Sequence, residues 1–187
     1  MEPLAHRHIG VSFKLRLGKG FQYFFSLMRP TSSGRVWVDS ADPRLVPKFS
    51  LNYLTTARDR SDAIAAVKAI RHIVSQPAWD ECRGVEVSPG PGTVSDAEIL
   101  RFLRANVGTN YHLSCPCRMG SDENAVTDTA GRVRGVDNLR VVDASIMPEI
   151  VSGNPNAAVI MIAEKIADSV RGRPGLRPQP MGYYRAA

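Results

Sequence analysis

The run Gly153-Asn154-Pro155-Asn156, and the apolar stretch it opens, constrains this chain more than any other part of it. Asn154 suits a helix N-cap, and Pro155 suits the first helical position, where its missing amide hydrogen has no partner to lose. Val159, Ile160, Ile162, Ala163, Ile166, Ala167 and Val170 then cover a broad face, which predicts a helix set deep in the structure. Arg171-Gly172 supplies the stop. Such a helix needs something to pack against. Gly131-Arg132-Val133 and Leu139-Arg140-Val141-Val142, parted by Gly135-Val136-Asp137-Asn138, read as two short strands joined by a tight turn, the second fully buried.

Upstream the pattern is different. Residues 11–28 alternate loosely (Val11, Phe13, Leu15, Leu17) and then carry Phe21, Tyr23, Phe24 and Phe25, reading as strands that end near Met28-Arg29-Pro30. Thr31-Ser32-Ser33-Gly34 is a turn. Arg35 to Asp39 and Phe49 to Tyr53 have period-two character on either side of Asp42-Pro43 and Val46-Pro47, so a small antiparallel sheet is predicted. From Ser61 the period becomes helical, with Ile64, Val67, Ile70 and Val74 on one face. Asp59 and Asp62 lie near its N-terminus, and Pro77 ends it. Ser95-Asp96-Ala97-Glu98 has the form of a capping box, and Ile99, Leu100, Phe102 and Leu103 supply a buried stripe as far as Val107-Gly108. The fold class is α/β (α+β): an antiparallel sheet with helices on one face, followed by a C-terminal strand and long helix.

Composition excludes several functions. No apolar run approaches the roughly 20 residues that span a bilayer, and Met1 to His8 lacks the layout of a signal peptide, so a soluble, cytoplasmic protein is expected. The net charge of +6 is scattered over the sequence. Its one concentration, Arg171, Arg173, Arg177 and Arg185 among Pro and Gly, reads as a solvated tail, and no nucleic-acid reader motif accompanies it. Three cysteines, Cys82, Cys115 and Cys117, are an odd number and read as reduced thiols. The spacing His112-x-x-Cys115-x-Cys117 brings soft-metal ligation to mind, but a structural zinc takes four ligands and no fourth follows, so no metal is expected.

Two side chains carry the candidate chemistry. His112 lies among turn formers, where a histidine near its unperturbed pKa of about 6.5 serves as a general base or simply satisfies loop carbonyls. Asn154 either caps its own helix or turns outward to offer donor and acceptor to a substrate oxygen. In both cases the helix it opens aims a partial positive charge at whatever lies in front. His72, on the first predicted helix, reads as a surface or packing residue.

Tyr111-His112-Leu113-Ser114-Cys115-Pro116-Cys117-Arg118-Met119-Gly120 resembles the histidine loop of the glucose–methanol–choline (GMC) flavin oxidoreductases. Leu139 to Pro148 is similar to their second C-terminal signature, and Gly153 to Asn156 with the helix to Asp168 to their third. Ser33-Gly34-Arg35-Val36, Asp42-Pro43 and Asn52-Tyr53 are similar to the start of the substrate domain. The resemblance runs in order over nearly the whole chain, and within the family it is strongest toward choline-oxidising members. It implies oxidation of a small, choline-like alcohol by hydride transfer to N5 of FAD. His112 would take the hydroxyl proton and Asn154 would hold the substrate oxygen. The Asp143-Ala144 segment would lie against FAD, and the amides of Asn156 and Ala157 near its pyrimidine edge.

It also implies residues 10–110 as a substrate-binding domain, 111–171 as catalytic loops with elements returning to an FAD domain, and 172–187 as an extended tail. Choline-oxidising relatives hand electrons to the respiratory chain, which implies peripheral contact with the inner membrane. Leu113 and Pro116 depart from the Pro and Thr usual in the histidine loop. The larger departure is the nucleotide cradle. Gly18-Lys19-Gly20 begins a G-x-G-x-x-G turn and fails at the third glycine, and Gly90-Pro91-Gly92 does not fit. The chain is therefore read as the C-terminal catalytic part, needing an N-terminal FAD-binding segment or a partner chain. The alternative is a truncated, non-catalytic remnant that does not bind flavin alone.

Overall fold

The computed structural model describes residues 20–177. The expected strand over residues 11–19 and the end of the tail lie outside the described residues. The chain divides between Leu113 and Ser114 into two compact units.

The first unit is built on two helices and one strand pair. Strands β1 (Arg35–Trp37) and β2 (Lys48–Ser50) are antiparallel, with Val36 opposite Phe49. Gly34 enters β1 so closely to β2 that a Cβ there would lie 2.2 Å from the Ser50 carbonyl oxygen. Helix α1 (Ala57–Val74) starts earlier than its apolar period indicates, because Thr56 Oγ1 accepts the Asp59 amide and caps it. Helix α2 (Asp96–Asn106) starts at the Ser95/Glu98 capping box read from the sequence. Ala63 and Val67 of α1 pack with Ile99 and Leu103 of α2 and with Leu54 to form the unit's core. Lys68 also pairs with Asp96 across the two helices. Ser75 caps the end of α1, and Pro77 opens a short 3-10 turn to Trp79. His72 is exposed and contacts Gln76, as a surface residue should.

Residues 20–28 form no strand, contrary to expectation. A strand needs a ladder partner, and the sheet of the described residues contains only β1 and β2. The aromatics do other work: Phe21 and Tyr23 stack with Trp79 at centroid distances of 5.3 and 5.8 Å. Leu27 leans on the core, and Phe24 remains 70% exposed.

A buried carboxylate ties the unit's loops together. Asp59, 2% exposed, accepts the Thr31 amide and hydroxyl at 2.8 Å each and the Ser32 amide at 2.7 Å. Burial alone raises its pKa, but these donors outweigh burial and hold the carboxyl well below the usual range. Arg71, near the end of α1, does the same for the next loop. It pairs with Glu86 and donates to the carbonyls of Thr93 and Gly90.

The second unit is organised on helix α3 (Asn156–Val170). Ile162 and Ile166 bury themselves with Ile146 and Met147, while Cys115, Met119 and Val141 pack alongside. Gly131 is required here. Its φ is +74°, and a Cβ would sit 2.7 Å from the Val141 carbonyl oxygen and 3.0 Å from Ile166 Cδ1. The helix ends in a Schellman motif: Arg173 N–H donates to Asp168 O, Gly172 N–H donates to Ser169 O, and Gly172 has φ +65°.

Two expectations need correction. The segments 131–133 and 139–142 meet at one antiparallel bridge, Arg132 to Arg140, rather than as full strands. Leu139 is 49% exposed, so the second is not fully buried. Nor is α3 buried around its broad face, since Ile160 and Met161 are more than half exposed. For α3 the physical reason is that, within its own unit, only the stripe through Ile162 and Ile166 has buried apolar neighbours. Among the described residues no helix is long and apolar enough to cross a membrane.

Candidate functional site

His112 belongs to the first unit. The capping box fixes where α2 begins, and Ile99 and Leu103 fix its rotation. Val107 closes the helix by donating to Leu103 O at 2.7 Å and turns the backbone extended. Two residues on, the Thr109 hydroxyl accepts the Tyr111 amide at 2.9 Å. Tyr111 holds φ +59° and is 70% exposed. His112 follows, half-buried.

The other candidates lie in the second unit. Cys115, Cys117 and Met119 donate their amides in alternation to the carbonyls of Ala144, Ser145 and Ile146, at 3.2, 2.9 and 2.8 Å. The loop that follows His112 in sequence is thus laced to the segment expected to face a flavin. Arg118 closes a turn onto Cys115 O and forks onto Asp122. That ion pair, with partial burial opposing it, draws the Asp122 carboxyl down to about 2. Burial, with Glu149 adding to it, pushes the Cys115 thiol up, so the thiol stays protonated and behaves as packing.

Asp143 lies at the start of the short 3-10 turn Ala144–Ile146. Its Oδ1 accepts both the amide and the hydroxyl of Ser145, an anchor the sequence reading missed. Asp-x-Ser is the signal that could have exposed it, since Asp accepts from the amide two residues on. Asp143 therefore shapes the backbone that carries Ala144.

Asn154 lies one residue before the α3 cap, which is Pro155 (φ −75°, ψ −7°) rather than Asn154 as expected; the Asn154 Oδ1 accepts the Asn156 amide at 3.0 Å. Asn156 and Ala157 are exposed in the first turn, at the positive end of the helix. The Asn156 amide is engaged by Asn154 rather than held for a ligand. Among the described residues no group of three or more His, Cys, Asp or Glu side chains is arranged to hold a metal.

A family model described as GMC oxidoreductase matches residues 30–163. The chain is 50% identical over 167 residues to the oxygen-dependent choline dehydrogenase of Serratia proteamaculans (strain 568), which spans 89% of this chain and 30% of that protein. The oxygen-dependent choline dehydrogenase 1 of Chromohalobacter salexigens is 48% identical over 169 residues, again 89% of this chain and 30% of the relative. The chain thus spans about 30% of the length of the curated relatives it matches. Among solved structures, pyridoxine 4-oxidase from Mesorbium loti superposes with TM-score 0.73 at 37% identity over 79% of this chain and 29% of that one. A formate oxidase of Aspergillus oryzae RIB40 superposes with TM-score 0.73 at 26% identity, over 78% of this chain and 26% of its own.

Proposed function

Because the chain belongs to the GMC oxidoreductase family, we propose that it is the C-terminal catalytic part of an FAD-dependent dehydrogenase for a small, choline-like alcohol. His112 is the base that takes the hydroxyl proton. Asn154 holds the same oxygen and, being unable to titrate, positions it without sharing the base role. FAD, when bound, supplies at N5 the acceptor for the hydride leaving the alcohol carbon. The choline dehydrogenase names of the two relatives support the substrate class.

The observation that carries this reading is the start of α3. One carboxamide is held by its own helix, next to an exposed first turn with partial positive charge. That end suits the negative charge a reduced flavin carries on its pyrimidine edge. The residues on this chain therefore fit the isoalloxazine end of FAD through the Ala157 amide and the Asp143–Ala144 backbone, with the Asn156 amide, taken by Asn154, shaping that turn. The sequence contains no G-x-G-x-x-G turn for the pyrophosphate, and a segment or partner chain outside these 187 residues provides that cradle. In this reading α3 and the strand-like segment before it belong with that nucleotide domain.

The second reading is a remnant that does not bind flavin, and the exposure of Ile160 and Met161 on α3 favours it. Turnover of choline by the flavin-loaded protein tests the base. His112→Ala lowers it by about 10²–10⁴-fold, and unchanged turnover removes His112 from the mechanism.

A further inference from the structure

We propose that Thr109 is a positioning residue for His112, acting through the left-handed backbone of Tyr111. This rests on the reading of His112 as the base and deepens it. Three observations meet within the first unit. Tyr111 has φ +59°, a region that a bulky non-glycine residue rarely adopts and that reverses the direction in which the next side chain leaves the backbone. Tyr111 is 70% exposed, so burial of the residue does not hold the conformation. The Thr109 hydroxyl accepts the Tyr111 amide at 2.9 Å and closes a turn over Asn110, which stabilises it.

The turn begins two residues after α2 releases the chain at Val107, so the aim of His112 is referred back to a capped, core-packed helix. A histidine on an unconstrained loop samples many directions. A base must meet one proton within hydrogen-bond reach. The hydroxyl of Thr109 converts the first situation into the second without touching substrate.

The chain has four histidines, which makes the test readable in imidazole proton–carbon spectra of the full chain. His112→Gln assigns the His112 signal, and His72 on α1 reports the integrity of the fold. Thr109→Val, which keeps shape and removes the acceptor, displaces the His112 signal and leaves that of His72 in place. Thr109→Ser restores it. A His112 signal unmoved in a folded Thr109→Val protein overturns the proposal.

If Thr109→Val fails to fold, the exposed Tyr111 gives the same answer. Tyr111→Asn, tolerant of positive φ, and the β-branched Tyr111→Val both lose the ring, so their His112 signals are compared with each other, and they differ. Identical His112 signals in the two variants also overturn the proposal. In the flavin-loaded protein Thr109→Val lowers kcat about tenfold with little change in KM, as loss of base alignment requires. The spectra decide the positioning role independently of turnover, so failure of the base assignment is read separately, from His112→Gln activity.

Discussion

Asp59 is the residue with most to lose. It takes three hydrogen bonds from Thr31 and Ser32 in a site 2% exposed, and leaving those donors unpaired costs about 1–3 kcal/mol. Asp59→Ala lowers the thermal midpoint of the protein accordingly, as differential scanning calorimetry would register. The pH dependence has a definite sign. The folded carboxyl titrates below its ordinary value of about 3.9, so its stabilisation is complete above that value and disappears as pH falls through the folded pKa. Wild-type stability therefore drops below about pH 4, and Asp59→Asn has a flatter acid limb in a urea titration. An acid limb that is the same in both proteins contradicts the assignment. At Asn154 a different pairing of effects is expected. Asn154→Ala removes both the acceptor for the Asn156 amide at the start of α3 and the proposed hold on the substrate oxygen, so thermal stability and turnover fall together.

At the scale of elements, the capping box of α2 gives a prediction independent of the chemistry. Ser95→Ala removes the acceptor for the Glu98 amide and lowers stability by about 0.5–2 kcal/mol in denaturant unfolding. That box was legible in four letters because both of its partners are local. The Arg171-Gly172 stop was equally plain. The turn read at Thr31–Gly34 is absent, because Thr31 and Ser32 bond Asp59 instead, and α3 starts one residue later than Asn154-Pro155 indicated. The strand assigned to Phe21–Phe25 failed for the opposite reason. Alternation shows that a segment could pair, but the ladder partner is a property of the rest of the molecule. The breadth of the apolar face on α3 was legible, and the exposure of Ile160 and Met161 is what a helix separated from its packing partners shows. At the site, His112 and Asn154 were visible as residue types. Thr109 and Ser145 act through hydrogen bonds two residues away, and ordinary turn composition hid them.

For the whole molecule, length sets the question. A chain that matches its curated relatives over 89% of itself and 30% of them carries the GMC signatures without the phosphate-binding turn. The uncovered apolar residues of α3 make self-association expected when the chain is alone. Ile160→Lys with Met161→Glu reduces that association in sedimentation without unfolding α3. The most direct measurement is the visible absorbance of the purified chain, alone and mixed with the nucleotide-binding part of a choline dehydrogenase relative, before and after adding choline. The account predicts flavin colour in the mixture that bleaches on addition of choline. Colourless protein in both samples would contradict it and leave a remnant without redox activity.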